Sequence, residues 1–199
     1  MGHKKPTLTY RILRALGFNY PIEDYGDICI TKVVGQTITN IYHRFLCKLM
    51  NSTLLEPFNP RKLRPWIMRR LGANVGKNVF IGEYVRPDLN HSNLITIEDG
   101  VHIAADVRFL CHKKDLSGYC LGDIYGQQPY KYGEIHLCKN CAIGTGSLVM
   151  PGVTVGEGAV VGAGSLITKD IPAWTIAVGR PAKVVKEINE RVQPKEFKD

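Results

Sequence analysis

The chain has 199 residues and a formal net charge of +8, and 44% of its residues are hydrophobic while 22% are charged. This composition is ordinary for a soluble globular protein and argues against both a disordered chain and a bundle of membrane-spanning helices. The length suits one main domain with a smaller helical part. The positive charge suits anionic partners, which include phosphate-bearing cofactors, acidic lipids and nucleic acid.

Helical spacing of apolar residues dominates the first third of the sequence. We expect residues 1–72 to form a helical segment that caps or buttresses the domain that follows. Arg11 and Arg14 interrupt the apolar stretch that a secretory signal would need, so the predicted location is cytoplasmic. The first apolar stripe consists of Ile38, Ile41, Tyr42, Phe45, Leu46 and Leu49, and the second of Leu63, Trp66, Ile67 and Leu71.

Basic residues surround Trp66 in the second stripe. Such a segment favours peripheral contact with an anionic membrane surface, and the alternative is a solvated helix face. No motif for nucleic-acid binding is present, so we expect no nucleic-acid partner. The basic residues are Arg61, Lys62, Arg64, Arg69 and Arg70.

A six-residue period decides the fold. Aliphatic residues recur at every sixth position from Leu137 to Ile167, and a mostly small residue follows each of them four positions later. Glycine comes directly after the aliphatic residue at positions Gly144, Gly156 and Gly162, where we expect it to ease the backbone of a turn. This period fits neither a helix nor simple strand alternation. It fits short flat strands that are joined by tight turns and wound into a coil.

The same pattern runs through residues 75–85 and 97–109, so it is interrupted twice. The first irregularity falls around Pro87 to Leu94, and the second leaves a loop at residues 110–134 that opens with Cys111 and His112. Loops that project from a rigid scaffold are common places for functional residues.

The residues after the coil return to helical spacing. Val184, Val185, Ile188 and Val192 form a short amphipathic pattern, and Pro194 would end it. We therefore expect a short C-terminal helix and tail at residues 182–199.

Two segments near the end of the coil resemble a family signature. They are Val161-Gly-Ala-Gly-Ser-Leu-Ile-Thr-Lys-Asp-Ile-Pro172 and Val178-Gly-Arg-Pro-Ala-Lys-Val184. Both resemble the terminal coil of the hexapeptide-repeat acyltransferases, in the branch of the maltose, galactoside and polysaccharide O-acetyltransferases. The resemblance implies an all-β domain at residues 73–181, folded as a left-handed parallel β-helix with three six-residue faces per coil. It also implies a homotrimer that binds acetyl-CoA in grooves between neighbouring subunits, parallel to the coil axis.

The resemblance also implies which residues line acetyl-CoA. A small residue such as Ala163 would let the extended pantetheine approach the backbone, and lysines would place positive charges beside the nucleotide phosphates. A purely solubilising role is the alternative for the lysines. The implied set is Thr145, Ala163, Thr168, Lys169, Lys183 and Lys186.

His112 is the candidate general base. In the family a histidine on the loop that leaves the coil faces the thioester, and in this sequence the loop begins at this residue. A neutral imidazole can take the proton of a sugar hydroxyl while that hydroxyl attacks the acetyl carbonyl. The transfer would be direct, and a backbone N–H of an adjoining turn would stabilise the oxyanion.

The first irregularity holds further polar residues. In relatives this place carries a residue that contacts the substrate or orients the base, which implies substrate-binding roles for Asp88 and Asn90. A turn-forming role is the alternative for Asp88, and His91 is the second candidate for the base. We expect His102 and His136 on the surface.

The six cysteines predict free thiols in a cytoplasmic protein. Cys138 and Cys141 form a CxxC, but no second CxxC or paired histidine motif completes a zinc set, so no metal is expected. A γ-class carbonic anhydrase shares the coil and binds zinc through three histidines. The spacing of His91, His102 and His112 does not match its ligand pattern.

The predicted function is acetyl-CoA-dependent O-acetylation of a saccharide hydroxyl, in the synthesis of capsule, O-antigen or exopolysaccharide. The acceptor is a saccharide, a nucleotide sugar or a lipid-linked glycan, and amine acceptors stay open. An antibiotic-modifying acetyltransferase is the nearest alternative, because that group also has a long loop after the histidine region. A non-catalytic β-helix scaffold is a further alternative.

Overall fold

The computed structural model describes residues 6–18, 22–52 and 59–190. The chain divides into two compact units. The first comprises Met1–Phe45 and Asp115–Pro129, and the second comprises Leu46–Lys114 and Tyr130–Asp199.

The first unit contains helices α1 (Leu8–Ala15) and α2 (Ile22–Tyr25) and most of α3 (Ile30–Met50). Thr7 caps α1, because its hydroxyl oxygen accepts a hydrogen bond from the backbone N–H of Tyr10 at 3.2 Å. No helix among the described residues is long and apolar enough to cross a membrane.

Helix α3 contains the first predicted apolar stripe, but most of that stripe is exposed. Leu46 is buried and Leu49 is half-buried, whereas Ile38, Ile41, Tyr42 and Phe45 are exposed. These four residues belong to the first unit, and the expectation that they buttress the coil stays a prediction. Helical spacing identifies an apolar face, but it does not say whether that face is covered.

The end of α3 and helix α4 (Arg64–Arg70), which follows a π-helical turn at Asn59–Leu63, belong to the second unit. Met50, Ile67 and Met68 are fully buried in one core cluster with Val75 and the other inward residues of the coil. These helical residues close the first end of the coil, because they cover apolar side chains that would otherwise face water.

The rest of the second unit is a three-sided parallel β-helix built from very short strands. Face 1 stacks β1, β3, β8 and β11, face 2 stacks β2, β4, β9, β12 and β14, and face 3 stacks β5, β10 and β13. All pairs within these faces are parallel. The strands are β1 (Asn74–Val75), β2 (Phe80–Ile81), β3 (Ile95–Ile97), β4 (His102–Ile103), β5 (Arg108–Phe109), β6 (His112–Lys114), β7 (Tyr130–Tyr132), β8 (Ile135–Leu137), β9 (Ala142–Ile143), β10 (Leu148–Val149), β11 (Thr154–Val155), β12 (Val160–Val161), β13 (Leu166–Ile167), β14 (Thr175–Gly179) and β15 (Ala182–Glu187).

The six-residue period corresponds to one side of the coil. On face 3 the aliphatic and aromatic residues Phe109, Val149 and Ile167 pair directly in register, and all three are buried. The residues four positions after each aliphatic are buried too, including Ser147 and Ser165. Both sets of the predicted repeat therefore point into the core.

The glycine that follows the aliphatic residue has a different role from the expected one. Gly144, Gly156 and Gly162 do not have a positive φ; the left-handed positions are two residues further on, at Gly146, Gly158 and Gly164. A Cβ on Gly144 would lie 2.5 Å from the backbone nitrogen of Ala163 in the next coil. Glycine is required here because neighbouring coils approach too closely for a side chain.

The predicted C-terminal helix is wrong for the described residues. Ala182–Glu187 form strand β15, which pairs antiparallel with β14 and extends face 2. The β-branched residues Val184 and Val185 suit a strand, and the open edge of β14 supplies a partner for their backbone groups. Val192 and Pro194 lie outside the described residues.

The Gly144→Ala variant should unfold at a lower temperature than the wild type. Its new methyl group meets backbone atoms of Ala163, which cannot move without disturbing the coil, so we expect a loss of about 2 kcal/mol or more. Gly118→Ala is the matched control, because a Cβ there meets nothing within 4 Å. Thermal unfolding followed by circular dichroism should show the midpoint falling by roughly 4 °C or more for Gly144→Ala alone. Equal midpoints for both variants would contradict the close approach of the coils.

Candidate active site

The site lies at the corner of the coil that joins face 3 to face 1, which we call the third corner. At this corner the chain leaves the coil after Leu110 and returns at Gly133, whose backbone N–H donates to the carbonyl of Cys111 at 3.0 Å. Strands β6 and β7 rise from this point as an antiparallel pair. The predicted loop is therefore a β-hairpin at its base, and His112 is the first residue of that hairpin.

Asp88 lies at the same corner in the preceding coil. Its side chain is only 6% exposed, and its Oδ2 lies 2.5 Å from Nδ1 of His112. Oδ2 also accepts the backbone N–H of Cys111 at 3.1 Å, and Oδ1 lies 3.3 Å from Nδ1 of His91. The turn is held by Ser92, whose hydroxyl donates to the carbonyl of Asp88 at 2.7 Å. Both oxygens of this buried carboxylate are therefore used to hold histidines and the start of the loop.

The partners of Asp88 keep it ionised. Burial by itself would raise the pKa of Asp88, but the Cys111 amide and the hydrogen bonds from His112 and His91 outweigh it, and the pKa is lowered below its ordinary value. The neighbouring thiol behaves in the opposite way. Burial and the charge of Asp88 raise the pKa of Cys111 to about 12, so this cysteine is a neutral thiol and not a nucleophile.

The pairing with Asp88 fixes the chemistry of His112. Because a carboxylate accepts the proton of Nδ1, the neutral ring has its lone pair on Nε2. The His112 side chain is 33% exposed, so the ring can meet a bound molecule. A histidine held in this tautomer by a buried carboxylate is suited to accept a proton and to be stabilised once it is charged.

Two tyrosines that the sequence analysis missed stand beside His112. In the hairpin, His112 pairs with Tyr132 and Lys114 with Tyr130, so these four side chains share one face. The ring of Tyr130 is edge-on to His112 at 5.5 Å, and the ring of Tyr132 lies 4.8 Å from that of His91. The signal was the alternation Tyr130-Lys131-Tyr132 at the end of the loop, which is typical of a strand.

The residues implied for the cofactor lie at two different corners. Thr145 and Ala163 are exposed at the second corner, which joins face 2 to face 3, where the N–H of Gly164 donates to the carbonyl of Thr145 at 2.7 Å. Thr168 and Lys169 are exposed at the third corner, two coils beyond the hairpin. The structure therefore places these two pairs on opposite edges of face 3.

The two C-terminal lysines also separate. Lys183 pairs with Val178, whose side chain lies over Gly162, so Lys183 is beside the second corner. Lys186 pairs with Ile176 further along face 2, away from that corner. Both lysines belong to strand β15 and are exposed.

The remaining predicted residues do not converge on one centre. Asn90 is exposed in the same turn as Asp88. His102 is exposed on face 2, where its ring stacks on Phe80 at 4.2 Å, and His136 pairs with Glu98 at 2.8 Å. His91, His102 and His112 therefore do not form a three-histidine site within one chain.

Two groups within the described ranges bring three ligand-type atoms within 4.8 Å of one another. The first is Asp88, His91 and His112, in which the hydrogen bonds already explain the arrangement. The second consists of Glu98, His136 and Cys138 on the outer surface of the coil. All six cysteines are free, as the sequence predicts.

The basic segment around Trp66 is occupied in holding the end of the coil. Arg64 is buried, and it donates to the carbonyl of Met50 at 3.1 Å and to that of Ile81 at 3.2 Å. Arg69 donates to the carbonyls of Val75 and Gly76. These arginines satisfy backbone carbonyls at the junction of helix and coil, which does not support the predicted membrane contact for this segment.

Comparison with known proteins agrees with this architecture. Residues 134–169 match the family model described as bacterial transferase hexapeptide (six repeats). Over 153 residues the chain is 32% identical to the galactoside O-acetyltransferase of Escherichia coli (strain K12), and the match covers 74% of this chain and 73% of that protein.

Solved structures give the same result. A maltose O-acetyltransferase from Clostridium difficile 630 superposes with a TM-score of 0.61 and 28% identity, over 77% of this chain and 88% of that one. A galactoside acetyltransferase in complex with coenzyme A has a TM-score of 0.56 at 23% identity, over 91% of this chain and 98% of that one, which shows the shared fold.

The coil and its repeat define a hexapeptide-repeat transferase. With the match to the galactoside enzyme, the chain belongs to the family of hexapeptide-repeat acetyltransferases, in the branch of the sugar O-acetyltransferases.

Replacing Asp88 by asparagine should slow proton transfer by His112 without creating a cavity in the site. Asp88→Asn keeps the size of the side chain but removes the charge that fixes the tautomer of His112, so we expect kcat to fall by about 10²-fold or more while the KM for acetyl-CoA changes little. The control is Glu98→Gln, which makes the same change in the carboxylate that pairs with His136. Steady-state kinetics should show the loss for Asp88→Asn only. If both variants kept the wild-type kcat, Asp88 would have no positioning role.

Proposed function

We propose that this protein transfers the acetyl group of acetyl-CoA directly to a saccharide hydroxyl, with His112 as general base and Asp88 as the residue that positions it. The observation that carries the proposal is the 2.5 Å contact between the buried Asp88 carboxylate and Nδ1 of a partly exposed His112, at the base of the hairpin. Family membership supplies the reaction class, and the pair of side chains supplies the proton transfer.

The reaction follows from this arrangement. Nε2 of His112 takes the proton of the acceptor hydroxyl while its oxygen attacks the thioester carbonyl. The carboxylate of Asp88 stabilises the imidazolium that forms. When the tetrahedral intermediate collapses, the C–S bond breaks, and His112 gives the proton that it took from the hydroxyl to the leaving thiolate. The products are the O-acetyl saccharide and coenzyme A, and Cys111, which lies next to His112, takes no part because its thiol is protonated.

The two edges of face 3 support a cofactor groove shared between subunits. A cofactor that lies along one corner of a single chain meets either Thr145 and Ala163 or Thr168 and Lys169, because face 3 separates the two pairs. In a homotrimer, the second corner of one subunit faces the third corner of its neighbour and both pairs line one groove. Lys169 lies two coils beyond the hairpin, about 10 Å along the axis at the usual strand spacing, which suits a phosphate contact remote from the thioester.

The tyrosine pair supports a saccharide as the acceptor. The face of the hairpin offers two half-exposed aromatic rings next to the base. The apolar face of a sugar ring packs on such a surface, while its hydroxyls remain free to reach His112. Lys114 lies over Tyr130, with Nζ 3.9 Å from the ring centroid, so the platform also carries a positive charge.

The wider setting is part of this proposal. We infer a left-handed coil, a cytoplasmic location where acetyl-CoA is available, and an acceptor that is a precursor of capsule, O-antigen or exopolysaccharide. A turnover screen with acetyl-CoA against sugars, nucleotide sugars and antibiotics would test this, because a drug as the preferred acceptor would favour an antibiotic-modifying enzyme instead.

His112→Ala should separate binding from chemistry. We expect kcat to fall by roughly 10²- to 10⁴-fold, the usual contribution of a positioned base, while acetyl-CoA affinity and oligomeric state stay unchanged. The wild-type rate should rise with pH, because only a neutral imidazole accepts a proton. This rise should be absent in His112→Ala. Steady-state kinetics over a pH range would measure both effects.

The control for this variant is His136→Ala, which removes another histidine that pairs with a carboxylate at a different corner of the coil. It should keep the wild-type rate and pH profile. If a folded His112→Ala protein acetylated the acceptor at the wild-type rate, the base would have to be another group, with His91 the first to test.

Removing the cofactor lysines should weaken acetyl-CoA binding more than catalysis. Contacts to the phosphates are equal in ground and transition states, so Lys169→Ala and Lys183→Ala should each raise the KM for acetyl-CoA several-fold at nearly constant kcat. Lys77→Ala is the control, since that exposed lysine lies at the corner that joins face 1 to face 2.

The same samples test the shared groove. Light scattering should give three chains per particle for the wild type and all three variants. A monomer that turns over acetyl-CoA at the full rate would contradict a groove between subunits.

Tyr132→Ala should raise the KM for the saccharide, while Tyr132→Phe should not, because stacking needs the ring and not the hydroxyl. We expect an increase of roughly 5- to 10-fold for the alanine variant, from the loss of about 1 kcal/mol of ring contact, with no change in the KM for acetyl-CoA. Tyr42→Ala removes a similarly exposed tyrosine on α3, which belongs to neither corner of the proposed groove, and serves as the control. An unchanged saccharide KM in Tyr132→Ala would exclude stacking on this ring.

A further inference from the structure

The first four turns of α3 carry an exposed apolar stripe. At about 100° per residue, Ile30, Val34, Ile38, Ile41 and Phe45 fall within less than a third of the helix circumference. Each is between 50% and 64% exposed. The stripe is about 22 Å long at the usual helical rise. A row of large apolar residues of this length in contact with water is an unusual surface for a folded protein and marks an interaction site.

Helix α1 repeats the pattern in the same unit. Leu8, Ile12 and Leu16 follow one another at intervals of four residues, and each is more than half exposed. These residues lie on one side of the helix, because residues four apart share a face.

The charges on these two helices have one sign. Neither α1 nor α3 contains an aspartate or a glutamate, whereas Arg11, Arg14, Lys32 and Arg44 are exposed on them. On α3, Arg44 lies about 40° from the edge of the apolar stripe, whereas Lys32 lies near the opposite side of the helix, at about 100° per residue. Helices that carry an apolar stripe and only basic charges match the surface of a bilayer that contains anionic lipids, where apolar residues enter the acyl region and cations meet the headgroups.

We propose that α1 and α3 dock this protein on the surface of an anionic lipid bilayer. This surface is distinct from the basic segment around Trp66, in which Arg64 and Arg69 bind backbone carbonyls at the first end of the coil. The proposal does not depend on the transfer reaction, and it places the acetyltransferase where lipid-linked acceptors would be within reach.

The charge pattern favours a bilayer over a second copy of the chain. In a symmetric bundle of α3 helices packed through this stripe, the Arg44 side chain of each copy would lie beside the apolar contact, and no acidic residue on α3 could balance its charge. Anionic headgroups supply the missing negative charge. Self-association through this stripe is therefore the alternative that the experiment must separate.

The test compares two variants that carry the same added charge. Ile38→Glu with Ile41→Glu places two carboxylates in the apolar stripe, and Gln36→Glu with Thr39→Glu places two on the exposed polar side of the same helix. Binding of the full chain is measured by sedimentation with vesicles of phosphatidylcholine that contain about one quarter phosphatidylglycerol, and with vesicles of phosphatidylcholine alone. Oligomeric state is measured by light scattering without lipid.

We expect the wild type to bind the anionic vesicles, to bind pure phosphatidylcholine much more weakly, and to be released by added salt. The Ile38→Glu, Ile41→Glu protein should bind the anionic vesicles at least about 10-fold more weakly than the Gln36→Glu, Thr39→Glu protein, since only the former loses the apolar contact. Both should acetylate a soluble acceptor at the wild-type rate.

Three results would overturn the proposal. These are a wild type that does not bind the anionic vesicles, equal binding by the two variants, and dissociation of the oligomer by Ile38→Glu, Ile41→Glu alone. The last result would identify the stripe as an interface between subunits. None of them bears on the role of His112, which is measured with soluble substrates.

Discussion

Each coil of the β-helix is held to the next by parallel strand pairs and by columns of inward-facing side chains such as Phe109, Val149 and Ile167. A shift of one residue in any strand would turn its buried side chain to the solvent, so the register is fixed along the whole stack. Fixed register aligns the corners into three columns. Residues far apart in sequence thereby meet at one corner. Glycine is required where the backbones of two coils approach too closely for a Cβ, as at Gly144.

The active site uses this alignment at an interruption of the repeat. Asp88 and His112 are 24 residues apart, yet they occupy the same corner in successive coils. The coil continues behind the inserted hairpin because Gly133 bonds back to Cys111, so the insertion leaves the core intact. The coil then supports a hairpin that carries the proposed general base, His112, and two aromatic rings.

Histidine and arginine residues show how position decides their use in this protein. His136 pairs with Glu98 much as His112 pairs with Asp88, but it lies on strand β8 of the regular coil and not on the hairpin. Arg64 is buried and satisfies carbonyls where helix meets coil. The arginines of α1 instead stand beside exposed aliphatic residues. The roles that we propose for residues of the same type therefore differ according to their neighbours.

The sequence by itself determined the coil, because a six-residue period fits neither a helix nor simple strand alternation. The apolar and small residues of the repeat also point into the core at fixed positions in each side of the coil. The sequence also located His112, since the break in the period marks where the chain leaves the scaffold. Only the tertiary structure decided the partner of that histidine, the alignment of Tyr130 and Tyr132 with it, and the division of the residues predicted to line the cofactor between two corners. The tertiary structure also showed that Ala182–Glu187 form strand β15 in place of the predicted C-terminal helix, and that the apolar stripe of α3 is exposed. The physical reason is that period and propensity are local, whereas pairing at a sheet edge, contact between coils and the covering of an apolar face depend on residues distant in the chain.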